Sequence, residues 1–268
     1  MTLKVLWKKI VNKMGYLLYP LYDLFHVETA IPKPSMRIYI GGGSYVAIGL
    51  EFMNYFINIG GLKSNHKVLD MGCGIGRMAL PLTGYLSKEG EYFGFDIVPK
   101  GIEWCKKNIN SKFPNFHFEL LDIFNKFYNP KGKLSGASFA FPYPDNFFDF
   151  AYATSLFTHL MPDDAVNYLR EAHRVLKPGG VLFSTWLLFE DKNKVPSKFK
   201  MTTEVECFGY KCLIKDFRKP EALIAFDHRF ISDYSDKLNL QIRKVYSGSW
   251  DGKKEYLSCQ DVVIFSKK

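Results

Sequence analysis

The stretch Lys67-Val68-Leu69-Asp70-Met71-Gly72-Cys73-Gly74-Ile75-Gly76-Arg77 decides how this chain reads. Val68 and Leu69 read as a buried strand that runs into a glycine turn. Met78, Ala79, Leu80, Leu82 and Leu86 then predict a helix. Glycines at 72, 74 and 76 keep side chains out of the turn, so a ligand can approach the backbone closely. Asp70 stands at the carboxyl end of the strand, where open α/β sheets bind ligands. An acid there suits a cationic amine and repels a pyrophosphate. The turn therefore points to a ligand with an amino-acid tail rather than to a dinucleotide, and Arg77 at the third fingerprint position agrees.

Outward from the turn, strands and helices alternate. Strands read at Tyr92–Asp96, Phe116–Leu121, Phe147–Ala153 and Val181–Leu188. Helical patterns carry Ile102, Cys105 and Ile109, and then Asp163 to Leu176, with Lys177-Pro178-Gly179-Gly180 as a break before the next strand. A helix Phe230–Leu238 leads to strands Gln241–Tyr246 and Asp261–Ser266, which are joined by a turn and so must be antiparallel. The expected fold is α/β, a doubly wound and mostly parallel seven-stranded sheet with an antiparallel last strand. Upstream, residues 1–60 read as a helical prelude. In it Ser44 caps a helix bearing Ala47, Ile48, Leu50, Phe52, Met53, Phe56 and Ile57, and Gly60-Gly61 ends it. Residues 61–268 form the main domain. Within it, 190–228 lose the alternation and read as a Lys-rich insertion with short β-like pieces such as Glu204–Cys207.

Composition narrows the function classes. The chain has 268 residues and a formal charge of +9, but only seven of its basic residues are Arg, and the lysines form no dense run. Phosphate-reading surfaces favour Arg forks, so the charge fits a generally basic surface better than a nucleic-acid partner. Five scattered cysteines (73, 105, 207, 212, 259) show no Cys-x-x-Cys and no zinc spacing, which fits free thiols, no metal and a cytoplasmic setting. Leu3, Leu6, Trp7, Ile10, Met14, Leu17, Leu18 and Leu21 recur at helical spacing with lysines between them. That is neither a signal peptide nor a membrane span. It predicts an amphipathic helix packed on its own domain, with peripheral membrane contact through residues 1–24 as the alternative.

Three acids close three consecutive strands: Asp70, Asp96 and Asp122. Asp96 lies 20 residues after Gly76, the distance at which an acid accepts hydrogen bonds from ribose hydroxyls. Asp122-Ile123 offers a carboxylate for an adenine amine and an apolar surface for its ring. Each Asp alone could simply cap a helix. Together they describe an elongated adenosine ligand whose amino-acid end lies near Asp70.

Val68 to Gly76, Phe95-Asp96-Ile97, Leu121-Asp122-Ile123, Phe148-Asp149-Phe150 and Arg174-Val175-Leu176-Lys177-Pro178-Gly179-Gly180, in that order, resemble the Rossmann-like class I S-adenosylmethionine-dependent methyltransferases. The similarity is closest to their small-molecule type 11 domain and covers roughly residues 60–188. It implies that Asp70, Gly72, Cys73, Gly74 and Gly76 cradle the methionine part of S-adenosyl-L-methionine, while Asp96 holds the ribose with Ile97 beside the adenine. It also implies that Asp122 and Ile123 meet the adenine, and that Thr154, Ser155 and Leu156 line the methyl end.

His159, just beyond the fourth strand, is the candidate base, with a structural or cofactor-side role as its alternative. Gly41-Gly42-Gly43 lacks the Lys-Ser/Thr of a P-loop and reads as a cap that places Arg37 or Tyr39 near the cofactor carboxylate. Tyr128 to Gly132 reads as a turn, either touching the acceptor or simply on the surface. The implied activity is methyl transfer to a small molecule. Asp191 to Pro220 carry eight basic residues against four acids, which leans toward an anionic or lipid-like acceptor. RNA or protein methylation is one alternative, and a non-catalytic adenosyl-binding regulatory subunit is another. The oligomeric state is open.

Overall fold

The computed structural model describes residues 31–37, 39–196, 199, 201 and 203–268. The predicted helix within residues 1–24 lies outside them. A seven-stranded sheet has the order β10-β11-β5-β4-β1-β2-β3, built from β1 (Lys67–Met71), β2 (Glu91–Asp96), β3 (Phe116–Leu120), β4 (Phe148–Ala153), β5 (Leu176–Trp186), β10 (Leu240–Tyr246) and β11 (Asp261–Lys267). A second sheet has the order β6-β9-β8-β7, from β6 (Leu188–Phe189), β7 (Thr203–Cys207), β8 (Tyr210–Ile214) and β9 (Ile224–Asp227). The chain divides into two compact units, Met1–His66 with Cys73–Leu120, and Lys67–Gly72 with Leu121–Lys268.

In the first unit, helix α1 (Tyr45–Asn58) starts where the sequence predicts. Ser44 Oγ accepts the Ala47 N–H at 3.2 Å, satisfying one of the four unpaired donors of the first turn. Its C-terminus closes through Gly60 N–H to the Tyr55 carbonyl and Leu62 N–H to the Phe56 carbonyl, both 2.9 Å, with Gly61 at φ +77°. Strands β2 and β3 pair in parallel from Tyr92↔Phe116 to Asp96↔Leu120, and the Tyr92 and Phe116 rings stack at 4.9 Å. The short helix α2 (Ala79–Leu82) stops before the predicted Leu86. Gly84 favours a turn, so Leu86 is reached through separate hydrogen bonds, Thr83 N–H to the Leu80 carbonyl and Leu86 N–H to the Leu82 carbonyl. Helix α3 (Pro99–Cys105) passes into a π turn at Lys106–Asn110, and Ile102, Cys105 and Ile109 are all buried, as their spacing predicts.

In the second unit, β1 pairs with β4 and β4 with β5, all in parallel, and β11 runs antiparallel to both β5 and β10. Phe150, Ala151, Tyr152, Leu182 and Phe183 are fully buried, as expected of strands covered on both faces. Lys177-Pro178-Gly179-Gly180 do break the helix, but β5 begins before them rather than at Val181. The ladder jumps from Phe148↔Leu176 to Phe150↔Val181, so the four residues loop out within the strand, with Gly179 at φ +78°. Helix α4 (Pro162–Val175) opens on Pro162, carries Asp163 and Asp164 in its first turn and ends with His173 and Arg174, the charge order that suits its dipole.

The insertion is more regular than its sequence rhythm indicates. Phe208 and Gly209, with φ of +56° and +79°, turn β7 back onto β8. The second sheet packs a cluster of Leu187, Phe189, Met201, Leu213, Ala225 and Trp250. Helix α5 (His228–Lys237) follows, capped by the Asp227 carboxylate on the Arg229 N–H at 3.0 Å.

Candidate functional site

The glycine turn takes its shape from close packing. Gly72, Gly74 and Gly76 have φ of +79°, +59° and +75°, so each needs glycine's freedom. The space a side chain would fill is occupied by the protein itself. In the first unit, a Cβ on Gly74 would stand 2.8 Å from Ile40 Cγ2, and one on Gly76 would stand 2.8 Å from Ile109 Cδ1. In the second, a Cβ on Gly72 would come within 3.1 Å of Leu156 Cδ1. Gly101, at the start of α3, allows a close approach to the turn, since its Cβ would lie 2.4 Å from the Gly74 carbonyl oxygen. Cys73 is buried, and its N–H donates to the Phe95 carbonyl at 3.0 Å.

Asp96 organises the first unit's share of the predicted residues. Its Oδ2 accepts the Gly74 N–H at 2.7 Å, and its Oδ1 accepts the Val98 N–H at 2.8 Å. One carboxylate thus joins the glycine turn to the start of α3. Burial raises its pKa, and the backbone donors from Val98, Gly74 and Ile97 oppose that rise. Each carboxylate oxygen has two lone pairs, so capacity for further donors remains.

The segment before α1 lies on the same turn. The Arg77 guanidinium donates to the carbonyls of Ile40 and Gly42, holding Ile40 against Gly74. Tyr39 Oη and Arg37 Nε are buried polar atoms without a hydrogen-bond partner among the described residues. Burial first, then the Asp96 charge, drives the Tyr39 phenol strongly toward its neutral form. Two buried donors left unpaired beside a glycine turn are the kind of groups a polar ligand satisfies.

In the second unit Asp70 is fully buried at the end of β1, in register with Tyr152 of β4. The strand order reverses at this pair, which makes it a topological switch point. Leu156 follows β4 and meets Gly72. Ser155 adopts a left-handed backbone with φ of +57°, and its N–H donates to Thr185 Oγ1 at 2.7 Å. Asp122 is exposed, with Asn129 Nδ2 at 3.4 Å, whereas Ile123 is buried at 3 % exposure.

His159 closes a 3-10 turn (Phe157–His159). Its Nδ1 sits 2.8 Å from the Glu221 carbonyl, a distance at which Nδ1–H donates and Nε2 is left with a lone pair. The Tyr128 hydroxyl lies 3.5 Å from that Nε2, at the outer limit of a hydrogen bond. Burial lowers the His159 pKa against the opposing effect of the Glu221 carbonyl, so the ring is neutral at pH 7. Sequence reasoning did not find Thr185, Gln260 or Glu221. Each acts through a long-range contact, and none stands in a motif.

Known proteins are similar to this chain in sequence and in fold. Residues 69–184 match the family model described as a methyltransferase domain. That match spans a little under half of the chain. Over 145 residues the chain is 28% identical to phosphoethanolamine N-methyltransferase 3 of Arabidopsis thaliana, covering 54% of this chain and 26% of that protein. It is 30% identical over 163 residues to an uncharacterized methyltransferase of Schizosaccharomyces pombe, covering 55% and 51%. The chain thus spans about a quarter of the first relative and half of the second. A solved SAM-dependent methyltransferase from Aquifex aeolicus shares the fold with a TM-score of 0.52 at 18% identity, over 88% of this chain and 98% of that one.

Proposed function

We propose that this methyltransferase-domain protein transfers a methyl group from S-adenosyl-L-methionine to a small-molecule acceptor. The observation that carries the reading is the Asp96 carboxylate, fixed at the end of β2 on the Gly74 and Val98 N–H groups. An acid held rigidly at a strand end, inside the stretch that matches the methyltransferase-domain model, supports a role in accepting hydrogen bonds from ribose hydroxyls. When bound, the cofactor supplies a methyl group on a positively charged sulfur.

The residues present fit that ligand. Asp70, Gly72, Cys73, Gly74 and Gly76 would hold its methionine part, Asp96 and Ile97 its ribose and adenine, and Asp122 and Ile123 the adenine edge. Thr154, Ser155 and Leu156 would border the methyl end. The unpaired Tyr39 Oη and Arg37 Nε supply donors for its carboxylate. His159, neutral and with Nε2 free of a proton, would take a proton from an acceptor that must lose one. Orientation supplies much of the rate in such a site, as aligned reactants gain about 7–11 kcal/mol.

The basic excess of residues 191–220 supports an acceptor with an acidic group. Part of that excess is spent internally, since Lys192 and Lys211 both pair with Glu204. The test is transfer of labelled methyl from the cofactor into a metabolite extract. Label in a small product supports the reading, whereas label only in RNA or protein favours a macromolecular acceptor. No transfer despite tight cofactor binding favours a regulatory, non-catalytic role.

A further inference from the structure

Glu221 is an acid buried where nothing in the protein uses all of it. It lies in the 3-10 turn Pro220–Ala222 and is 5 % exposed. Its Oε1 accepts the Lys126 N–H at 3.2 Å. Its Oε2 is buried and has no hydrogen-bond partner among the described residues. A buried carboxylate oxygen without a donor loses its hydration and gains nothing in return, and such groups are rare unless a ligand completes them.

The surroundings of Glu221 are those of a site. Its backbone carbonyl receives His159 Nδ1–H, and Tyr128 stands edge-on to the His159 ring at a centroid distance of 5.3 Å. Asn125 fixes the loop that carries Tyr128. Its Nδ2 donates to the His159 carbonyl at 3.1 Å, and its Oδ1 accepts the Phe127 and Tyr128 N–H groups at 3.1 and 2.9 Å. Asp164, in the first turn of α4, is close enough to Glu221 for the two charges to repel. Neither acid forms an ion pair among the described residues. The nearby Lys219 ammonium lies over the Phe127 ring at 5.9 Å instead.

Two carboxylates, an imidazole lone pair and a phenol oxygen make an acceptor-rich cluster whose acids have no ion-pair partner among the described residues. An anion would be rejected there. A compact ammonium group supplies both the positive charge and the N–H donors that the cluster lacks.

We propose that Glu221 and Asp164 form an amine-binding subsite for the acceptor, in which Glu221 Oε2 receives an N–H from a small protonated amine and Asp164 faces the same charge. The inference rests on the methyl-transfer reading for the purpose of the site, and it names the acceptor class as an amine. An acceptor with both an amine and an acidic group meets the demands of this cluster and of the basic insertion together.

The test is calorimetric titration of the cofactor-free full chain at pH 7.5 with ethanolamine, using ethylene glycol as its uncharged counterpart. Ethanolamine is expected to bind and ethylene glycol not. Glu221→Gln keeps an oxygen for the Lys126 N–H and so preserves the turn, which circular dichroism checks, yet it should weaken ethanolamine at least about tenfold. The affinity of the same variant for S-adenosyl-L-methionine should stay as in the parent. Absence of ethanolamine binding, or equal binding by parent and variant, overturns the subsite. If ethanolamine binding depends on Glu221 while the parent ignores S-adenosyl-L-methionine, the amine site stands and the methyl-transfer reading falls.

Discussion

Ser155 is held in a left-handed backbone by Thr185, whose hydroxyl oxygen takes the Ser155 N–H at 2.7 Å. The same hydroxyl donates to Gln260 Oε1 at 2.6 Å, and Ser155 Oγ reaches that oxygen at 3.3 Å. A non-glycine residue at positive φ persists only when its surroundings over-determine it. Here Thr185 of β5 and Gln260, just before β11, brace the loop that follows β4, the loop proposed to border the methyl end of the cofactor.

Thr185→Val therefore has a sharp expected outcome. The shape is kept, but the Ser155 N–H loses its acceptor at a cost of about 1–3 kcal/mol. Thermal denaturation should show that loss, and cofactor affinity should fall as the loop relaxes. Thr185→Ser should restore both.

Gly101→Ala runs against helix propensity. In an exposed helix interior, replacing Gly with Ala gains about 1 kcal/mol. At Gly101 the new methyl would stand 2.4 Å from the Gly74 carbonyl oxygen and 2.1 Å from Tyr39 Oη. The variant should be less stable than the parent in urea denaturation. Tyr39→Ala should relieve only part of the loss, because the Gly74 carbonyl stays.

Asp261, at the start of β11 in the main sheet, ties down Leu188 at the start of β6 in the second sheet, within the second unit. Its Oδ2 accepts the Leu188 N–H at 2.8 Å and Trp250 Nε1–H at 2.6 Å, and its Oδ1 accepts the Gly248 N–H at 2.8 Å. In Asp261→Asn, one oxygen becomes an NH2 that faces another N–H. The loss should be about 2–4 kcal/mol, from charge-assisted bonds weakened and one donor left unpaired. Tryptophan fluorescence should report it, since Trp250 is buried at 1 % exposure.

Asp164 gives a pH dependence with a definite sign. Burial first, then the Glu221 and Asp163 charges, push its carboxyl from 3.8 up to about 6. Between those values the folded protein holds a proton that the unfolded chain has released, so this group's contribution to stability falls as pH rises through the window. Asp164→Asn should raise the melting temperature at pH 7.5 and change it little below pH 4. A difference of the opposite sign at pH 7.5 would contradict the burial of this acid beside Glu221.

What the sequence made legible follows from range. The strands and helices of residues 67–186 were readable because apolar periodicity and glycine punctuation are local signals, and the antiparallel β10–β11 pair followed from a connection that carries no helix. The second sheet was not readable as a sheet. Its strands are two to five residues long and are held by Trp250 and Asp261, which lie far along the chain. Asp70, Asp96 and Asp122 stood out because strand ends can be counted. Glu221 could not stand out, since a lone acid in a charged insertion shows its burial only after folding. The glycines were found for an incomplete reason. Their positive φ was foreseeable, but their contacts with Ile40, Leu156 and Ile109 were not.

Isothermal titration with S-adenosyl-L-methionine tests the central proposal most directly. Saturable binding at a single site is predicted for the parent, and its loss is predicted in Asp96→Ala that retains its circular dichroism spectrum. Tight binding of NAD with no heat from S-adenosyl-L-methionine would contradict the account.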